Sequence, residues 1–185
     1  AAAAGLSNQI AAHGLSGAGL TEEASAQGVL IAGAAGGVGS AGAALAAWRG
    51  AQIFGAVRDE AEREEVLAAH PGAIVAVTAV EQLSQVVGEA TGGAGVDIVF
   101  DTVGNPLFEE AIRCLAIGAR MVVITAAPGA TVPLDLFSFY RSAASLITAN
   151  SGLGDSSWAA AQLRQLLPGF ESGKLRPPVI AQRFA

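Results

Sequence analysis

Three glycines, Gly36, Gly37 and Gly39, follow a short apolar run and precede a run of helix-forming residues. Because glycine has no Cβ, the backbone can turn sharply here and a ligand can approach it closely. The free N–H groups and the dipole of a helix N-terminus suit a pyrophosphate. The spacing matches the second and third glycines of the G-x-G-x-x-G dinucleotide fingerprint, with Ala34 at the first position and Val38 inside the turn. A tight strand–helix turn without a ligand is the alternative interpretation.

A cationic side chain, Arg58, directly follows the second predicted strand and lies 19 residues beyond Gly39. In a dinucleotide-binding fold this position lies near the adenosine ribose, where an acidic residue suits NAD and an arginine suits the 2′-phosphate of NADP. The sequence therefore favours NADPH over NADH. The alternative is that Arg58 only pairs with Glu62 on an exposed helix surface.

Small or hydroxylated residues follow three other predicted strands. The candidate cofactor contacts at these strand ends are Thr102, Val103, Gly104, Ile124, Thr125, Ala126, Asn150 and Ser151. Because the carboxyl ends of parallel strands meet at one edge of a sheet, we expect these residues to line a single cleft. Ordinary turn chemistry is the alternative explanation for them.

Residues that could carry out the chemical step are much harder to find. His13 and His70, the only histidines, lie at predicted helix ends, and Tyr140 lacks a lysine four residues later. Cys114 falls on an apolar helix face and is expected in the core. No catalytic residue and no metal ligand can be assigned from the sequence.

These candidate residues are positioned by a repeated strand–helix pattern. Strands are predicted at 28–33, 52–57, 73–77, 96–101, 121–124 and 145–148. Such alternation predicts an α/β Rossmann fold: a doubly wound parallel sheet of about six strands, with helices on both faces. We expect one domain over residues 1–185, with a leading helix and loop at 1–27 and an extended exit segment at 174–185.

Two helix starts are predicted from local capping signals. Thr78 and Glu81 have the spacing of a capping box, and the helix behind it is expected to direct Val80, Leu83, Val87 and Ala90 inward. Asn105 is expected to cap the next helix, with Pro106 in the first turn.

Composition restricts the class of protein. The chain has 185 residues, is 52% hydrophobic and carries a net charge of −6, which predicts a globular fold and argues against nucleic-acid binding. Its single cysteine excludes an internal disulfide and a cysteine-rich zinc site, and fits a reducing, cytoplasmic environment. No apolar run reaches the roughly 18 residues of a membrane helix, and the first residues lack the basic region of a signal peptide.

Several of these stretches, in this order, resemble the nucleotide-binding domain of medium-chain dehydrogenases/reductases. The resemblance rests on Val29–Gly39, on Thr91–Gly104, on the exit Gly173–Ile180 and on Gly5–Ser7 at the beginning. It is strongest to the zinc-independent quinone oxidoreductase and enoyl reductase branch, and it covers nearly the whole chain.

The resemblance implies an enzyme in two parts. NAD(P)H would bind between this domain and a β-rich substrate domain, and hydride would pass to a quinone, an enone or a similar substrate with a conjugated carbonyl group. The segments that supply the substrate domain lie outside this chain, so we expect the chain alone to be inactive.

Two finer features also follow from the resemblance. NADPH-using members often carry a lysine early in the second helix, whereas this chain has Glu62 there, with Arg58 or Arg63 as possible substitutes. Many members dimerise by pairing their sixth strands, here Ser145–Thr148.

Three functions remain open at this level. The chain is the cofactor domain of an oxidoreductase, a non-catalytic NAD(P)H-binding or sensing module, or a structural domain of a multienzyme.

Overall fold

The computed structural model describes residues 5–20 and 22–175, which form one parallel sheet flanked by helices. The strands are β1 (Gly28–Ala32), β2 (Gln52–Val57), β3 (Ile74–Val77), β4 (Val96–Asp101), β5 (Leu115–Val123) and β6 (Ser145–Thr148). The helices are α1 (Leu6–Gly17), α2 (Gly37–Trp48), α3 (Glu60–Ala69), α4 (Leu83–Ala90), α5 (Asn105–Arg113), α6 (Leu136–Ser142), α7 (Ser156–Arg164) and α8 (Leu167–Glu171), with a 3₁₀ turn at Ser151–Leu153.

The strands lie in the order β3-β2-β1-β4-β5-β6, and every neighbouring pair is parallel. The chain therefore starts in the middle of the sheet, winds outward on one side, and returns to wind outward on the other. The predicted doubly wound α/β fold is confirmed.

One row of paired residues crosses the sheet near its carboxyl edge. Its members, in spatial order, are Ala76, Ala56, Ala32, Asp101, Val123 and Thr148. Because these six residues are in register, the loops that follow them leave the sheet at a common level. This register places the predicted contact residues after β1, β4, β5 and β6 along one edge.

Each face of the sheet has its own apolar core. On one face, α1, α2 and α3 bury residues such as Leu15, Leu45 and Val66 against the sheet. On the other face, α4 and α5 bury Val87 and Phe108. Burial of apolar surface on both faces explains why the central strands are almost continuously apolar.

The predicted capping box at Thr78 is wrong. The helix begins five residues later, at Leu83, and the Thr78 hydroxyl instead donates to the Val57 carbonyl. The Glu81 carboxylate accepts from the Val77 amide and from the Arg63 guanidinium of the neighbouring helix. A capping box needs the Glu81 carboxylate at the start of the helix, but here this carboxylate pairs with Arg63 of α3.

The burial predicted for that helix is half right. Leu83 and Val87 are buried, but Val80 is 82% exposed and Ala90 is also exposed. Val80 lies before the true helix start, so helical spacing does not apply to it.

Two other boundaries differ from the sequence prediction. Asn105 is the first residue of α5 and makes no cap, because Gly104 holds the N-cap position. β5 starts at Leu115 and not at Met121, with a register shift against β4 and a positive φ at Gly118. Gly118 itself lies inside this irregular strand.

Three further features concern the end of the chain, the start of α7 and the apolarity of the helices. Of the predicted exit segment at 174–185, residues 176–185 lie outside the described residues. Asp155 caps α7, because its carboxylate accepts from the Trp158 amide at 2.8 Å. No helix in the described part of the chain combines the length and apolarity needed to cross a bilayer.

Candidate nucleotide-binding site

The glycine turn joins β1 directly to α2. Gly36 is the N-cap residue and supplies no side-chain cap. The first N–H groups of a helix have no acceptor within the helix, so those of Gly37, Val38 and Gly39 point out of its N-terminus. Gly36 and Gly37 are exposed, whereas Gly39 is buried. The turn therefore offers unpartnered donors and a positive dipole end on an open surface, which fits a pyrophosphate.

Gly39 and Gly33 are required for packing. A Cβ on Gly39 would overlap the Gly33 carbonyl oxygen, so only glycine allows α2 to lie this close to the turn. Gly33 has a φ of +76°, and a Cβ there would come within 2.8 Å of Thr102 Oγ1 and Val103. Gly33 was missed by the sequence analysis, although it stands three residues before Gly36 and continues the three-residue spacing.

The loop after β4 is held by Asp101. This side chain is fully buried, and its Oδ1 accepts from the amides of Val103 and Gly104 at 3.0 and 2.9 Å. Thr102 Oγ1 donates to the Ala32 carbonyl at 2.6 Å and so ties this loop to the end of β1. Asp101 was not among the predicted site residues. Its position at the end of an apolar strand, before an x-x-Gly turn, was the available signal.

Burial dominates the electrostatics of Asp101. It raises the pKa of the carboxyl above its usual range, although the hydrogen bonds from Gly104 and Val103 act in the opposite direction. The second oxygen, Oδ2, is buried and has no hydrogen-bond partner among the described residues. Asp101 thus positions the loop at the cost of a buried, half-satisfied carboxyl group.

The loops after β4 and β5 meet. A Cβ on Gly104, whose φ is +80°, would lie 3.0 Å from the Thr125 carbonyl oxygen and 3.6 Å from the Ala126 Cα. Ile124 donates its amide to the Asp101 carbonyl at 3.2 Å. Thr125 and Ala126 are exposed beside the closely packed Gly104. These predicted residues therefore share one surface.

The residues after β6 are part of the same edge but are engaged locally. Asn150 Oδ1 accepts from the Gly152 amide at 3.0 Å and caps the 3₁₀ turn that begins at Ser151. Asn150 is exposed. The side chain of Asn150 therefore serves a local turn, which is the ordinary turn chemistry given above as the alternative.

Arg58 lies at the end of β2 and pairs with Glu62 of α3. Glu62 accepts from the Arg58 backbone amide at 2.9 Å and from Arg58 Nε at 2.8 Å, and a second guanidinium nitrogen also contacts it. This pairing lowers the pKa of Glu62, so the carboxylate stays charged. The Arg58 side chain is 84% exposed and still open to a further anion.

The remaining candidates lie outside this cleft. His13 packs edge-on against Trp158 at 5.0 Å between ring centroids, and burial lowers the pKa of His70 at the end of α3. Cys114 is buried as predicted, and burial raises its pKa to about 12. In residues 5–20 and 22–175, no group of three or more His, Cys, Asp or Glu side chains could hold a metal ion.

The strand order, the glycine turn and the aligned loops define a dinucleotide-binding Rossmann domain. The family model described as "Zinc-binding dehydrogenase" matches residues 37–167, and the chain belongs to this family of the medium-chain dehydrogenase/reductase superfamily. Despite the name of this family, the part of the chain that the structure describes contains no cluster of ligands that fits zinc.

Individual relatives agree with this assignment. Over 164 residues the chain is 28% identical to the quinone oxidoreductase-like protein 2 homolog of Nematostella vectensis, covering 85% of this chain and 44% of that protein. Over 96 residues it is 31% identical to the acryloyl-coenzyme A reductase of Sulfurisphaera tokodaii, covering 52% of this chain and 27% of that protein. The chain therefore spans less than half the length of these relatives.

A solved structure of similar extent also matches. A candidate enoyl reductase domain of a polyketide synthase superimposes with a TM-score of 0.76 at 25% identity, covering 95% of this chain and 97% of that one. A unit of this size has thus been solved without a second half in the same chain.

Proposed function

We propose that this chain is the cofactor-binding domain of a cytoplasmic, NADPH-dependent oxidoreductase that reduces a quinone, an enone or an enoyl substrate. The alignment of the glycine turn with the loops after β4 and β5 carries this proposal, because it creates one continuous surface at the carboxyl edge of the sheet. The named activities of the relatives, which include acryloyl-coenzyme A reduction, support the reaction class.

Different parts of this edge would hold different parts of the cofactor. The amides of Gly37 and Val38 would bind the pyrophosphate, and Arg58 would bind the 2′-phosphate. The loops after β4, β5 and β6 would line the rest of the cleft, with Gly104 allowing close approach to the backbone. When bound, the reduced nicotinamide would supply the hydride.

The other half of the active site would come from a substrate domain outside these residues. Residues 1–185 would then act as a single NAD(P)-binding domain, with the exit segment leading toward that partner. The catalytic residues would lie on the missing half, and reduction would proceed without zinc.

A homodimer through β6 is part of the proposal. β6 is an edge strand of the sheet, and Leu146 is 42% exposed. An unpaired apolar edge strand can pair with a second copy of itself.

Nucleotide titration of the isolated chain tests the cofactor assignment. We expect NADPH to bind more tightly than NADH, measured by the fluorescence of the reduced nicotinamide or by calorimetry. Failure to bind either nucleotide at millimolar concentration would refute the assignment and favour a purely structural domain.

Adding a substrate domain tests the reaction. A fusion that restores family segments on both sides of this chain should consume NADPH, followed by its absorbance, in the presence of a small quinone or enone. A folded fusion that binds NADPH but reduces neither substrate would indicate a sensing module instead.

A further inference from the structure

Helix α3 buries little apolar surface. Of its ten residues, all of which the structure describes, only Val66 is buried. Its first turn carries charged side chains and begins two residues after Arg58, the proposed contact for the 2′-phosphate. Because packing of an apolar face normally holds a helix in place, the polar contacts of this turn have a larger share in fixing its position.

Arg63 and Glu81 connect this turn to the sheet. The Arg63 guanidinium contacts the Glu81 carboxylate, which lies in the loop after β3. The same carboxylate oxygen accepts from the backbone amide of Val77 at 2.6 Å. Val77 is the last residue of β3 and lies in register with Val57, the last residue of β2. The pair therefore ties α3 to the strand beside the one that precedes Arg58.

The two arginines near this turn differ in what they can still bind. Arg63 also donates to both carboxylate oxygens of Glu60, at 3.3 and 3.2 Å, and its side chain is 22% exposed. Arg58 pairs with Glu62, and its side chain is 84% exposed. The sequence leaves both arginines open as phosphate contacts. The contacts of Arg63 make Arg58 the more available cation.

The first turn of α3 also holds the backbone of Arg58. The Glu62 carboxylate accepts from the Arg58 backbone amide at 2.9 Å, and the Glu62 amide donates to the Asp59 carboxylate at 3.0 Å. Glu62 is the neighbour of Arg63 in the sequence. A displacement of Arg63 would therefore carry Glu62 and the backbone of Arg58 with it.

We propose that Glu81 is a positioning residue for the choice of nucleotide. Through Arg63 it fixes the first turn of α3, and that turn fixes the point from which the Arg58 side chain reaches the 2′-phosphate. Glu81 and Arg63 themselves do not contact the nucleotide. This inference rests on the proposed function, because it takes Arg58 as the contact for the 2′-phosphate.

Nucleotide titration of R63M, E81A and the double variant tests this role. A positioning pair acts as a unit, so each single variant should weaken the binding of NADPH about threefold relative to NADH, and the double variant no more than either one. A direct effect of charge on the phosphate has opposite signs, since R63M removes a cation and E81A removes an anion. Stronger binding of NADPH in E81A would overturn the proposal, and so would an equal loss of affinity for both nucleotides.

Three further variants complete the series. R113M and E109A are matched controls, because Arg113 and Glu109 form an ion pair on α5 with both side chains half-exposed, and neither variant should change the ratio of the dissociation constants. R58A separates this inference from the proposed function. A changed ratio in R58A with an unchanged ratio in R63M and E81A refutes the positioning role alone. An unchanged ratio in R58A refutes the 2′-phosphate contact and the positioning role together.

Hydrogen–deuterium exchange without nucleotide measures the attachment of α3 itself. In R63M and in E81A the amides of residues 60–66 should exchange several-fold faster than in the natural protein, whereas those of α5 should not change. If E81A does not fold, R63M alone decides the outcome. Unchanged exchange in α3 would overturn the proposal whatever the titrations show.

Discussion

The methyl group of Ala34 packs against the backbone of Gly55 on the neighbouring strand. A Cβ on Gly55 would lie only 3.3 Å from the Ala34 Cβ, and Ala34 is 1% exposed. Ala34 stands where the dinucleotide fingerprint has its first glycine. Because Gly55 has no side chain, β2 leaves room for the methyl group of Ala34 at this position of the fingerprint.

This contact predicts that the effect of G55A depends on residue 34. In the natural chain, G55A should lower the free energy of unfolding by about 1 kcal/mol, because neither Cβ can rotate away. In an A34G background the same change should be neutral or stabilising, since alanine is favoured over glycine within a strand. Urea denaturation of the four proteins measures the coupling. Equal destabilisation in both backgrounds would contradict the packing explanation.

Two glycine variants should have different effects: G39A on stability, and G37A on nucleotide binding. A Cβ on Gly39 would overlap the Gly33 carbonyl, so G39A should lower the free energy of unfolding by at least about 2 kcal/mol. A Cβ on Gly37 would meet only Ser7 Oγ, at 3.5 Å, so G37A should fold normally. If the pyrophosphate lies against Gly37, G37A should still weaken nucleotide binding several-fold, measured by titration. Unchanged affinity in G37A would place the pyrophosphate elsewhere.

Substitutions of Arg58 and Glu62 should change the choice of nucleotide in opposite directions. R58A removes a charge-assisted contact and should weaken the binding of NADPH by roughly tenfold, with little effect on the binding of NADH. E62Q removes the carboxylate that pairs with Arg58, so the guanidinium is freer to bind a phosphate. The affinity for NADPH should therefore rise relative to that for NADH. The ratio of the two dissociation constants is the measured quantity. An equal loss of affinity for both nucleotides in R58A would contradict a contact between Arg58 and the 2′-phosphate.

Asp101 should give the domain a distinctive pH dependence. Burial raises its folded-state pKa above the unfolded value of about 4. The folded protein therefore binds more protons than the unfolded chain between these two pKa values, and stability falls as the pH rises through that window. D101N lacks this titration but keeps an oxygen acceptor, so its stability relative to the natural protein should increase with pH. Denaturation of both proteins over a pH series tests this.

The control for that series is D101A. It leaves the amides of Val103 and Gly104 without their acceptor and should be about 2 kcal/mol less stable than D101N at every pH, since neither variant titrates at this position. A pH-independent difference between D101N and the natural protein would mean that Asp101 titrates alike in the folded and unfolded states.

The strand–helix alternation and the glycine turn were predictable because they depend on local pattern. Glycine spacing, apolar runs and prolines fix the strands near Val29 and Val99 and the start of α2 without reference to distant residues. The resemblance to medium-chain dehydrogenases/reductases used the same stretches, and the family match confirms it.

The errors arose where a distant residue decides the local structure. Glu81 fits a capping box until Arg63, on another helix, takes its carboxylate. The first residues of β5 pair with β4 only through an irregular register, which neither Leu115 nor Gly118 signals locally. Asp101 was not predicted as a site residue. Its hydrogen bonds to the next loop depend on burial that the sequence does not specify.

The glycines of the turn are of two kinds. Gly33 and Gly39 have no room for a side chain, whereas a Cβ on Gly37 would meet only Ser7 Oγ, at 3.5 Å. A chain that had lost its ligand would still need the first two glycines in order to fold, but the packing around the third would accept alanine. Gly37 is therefore the glycine of this turn that packing alone does not explain.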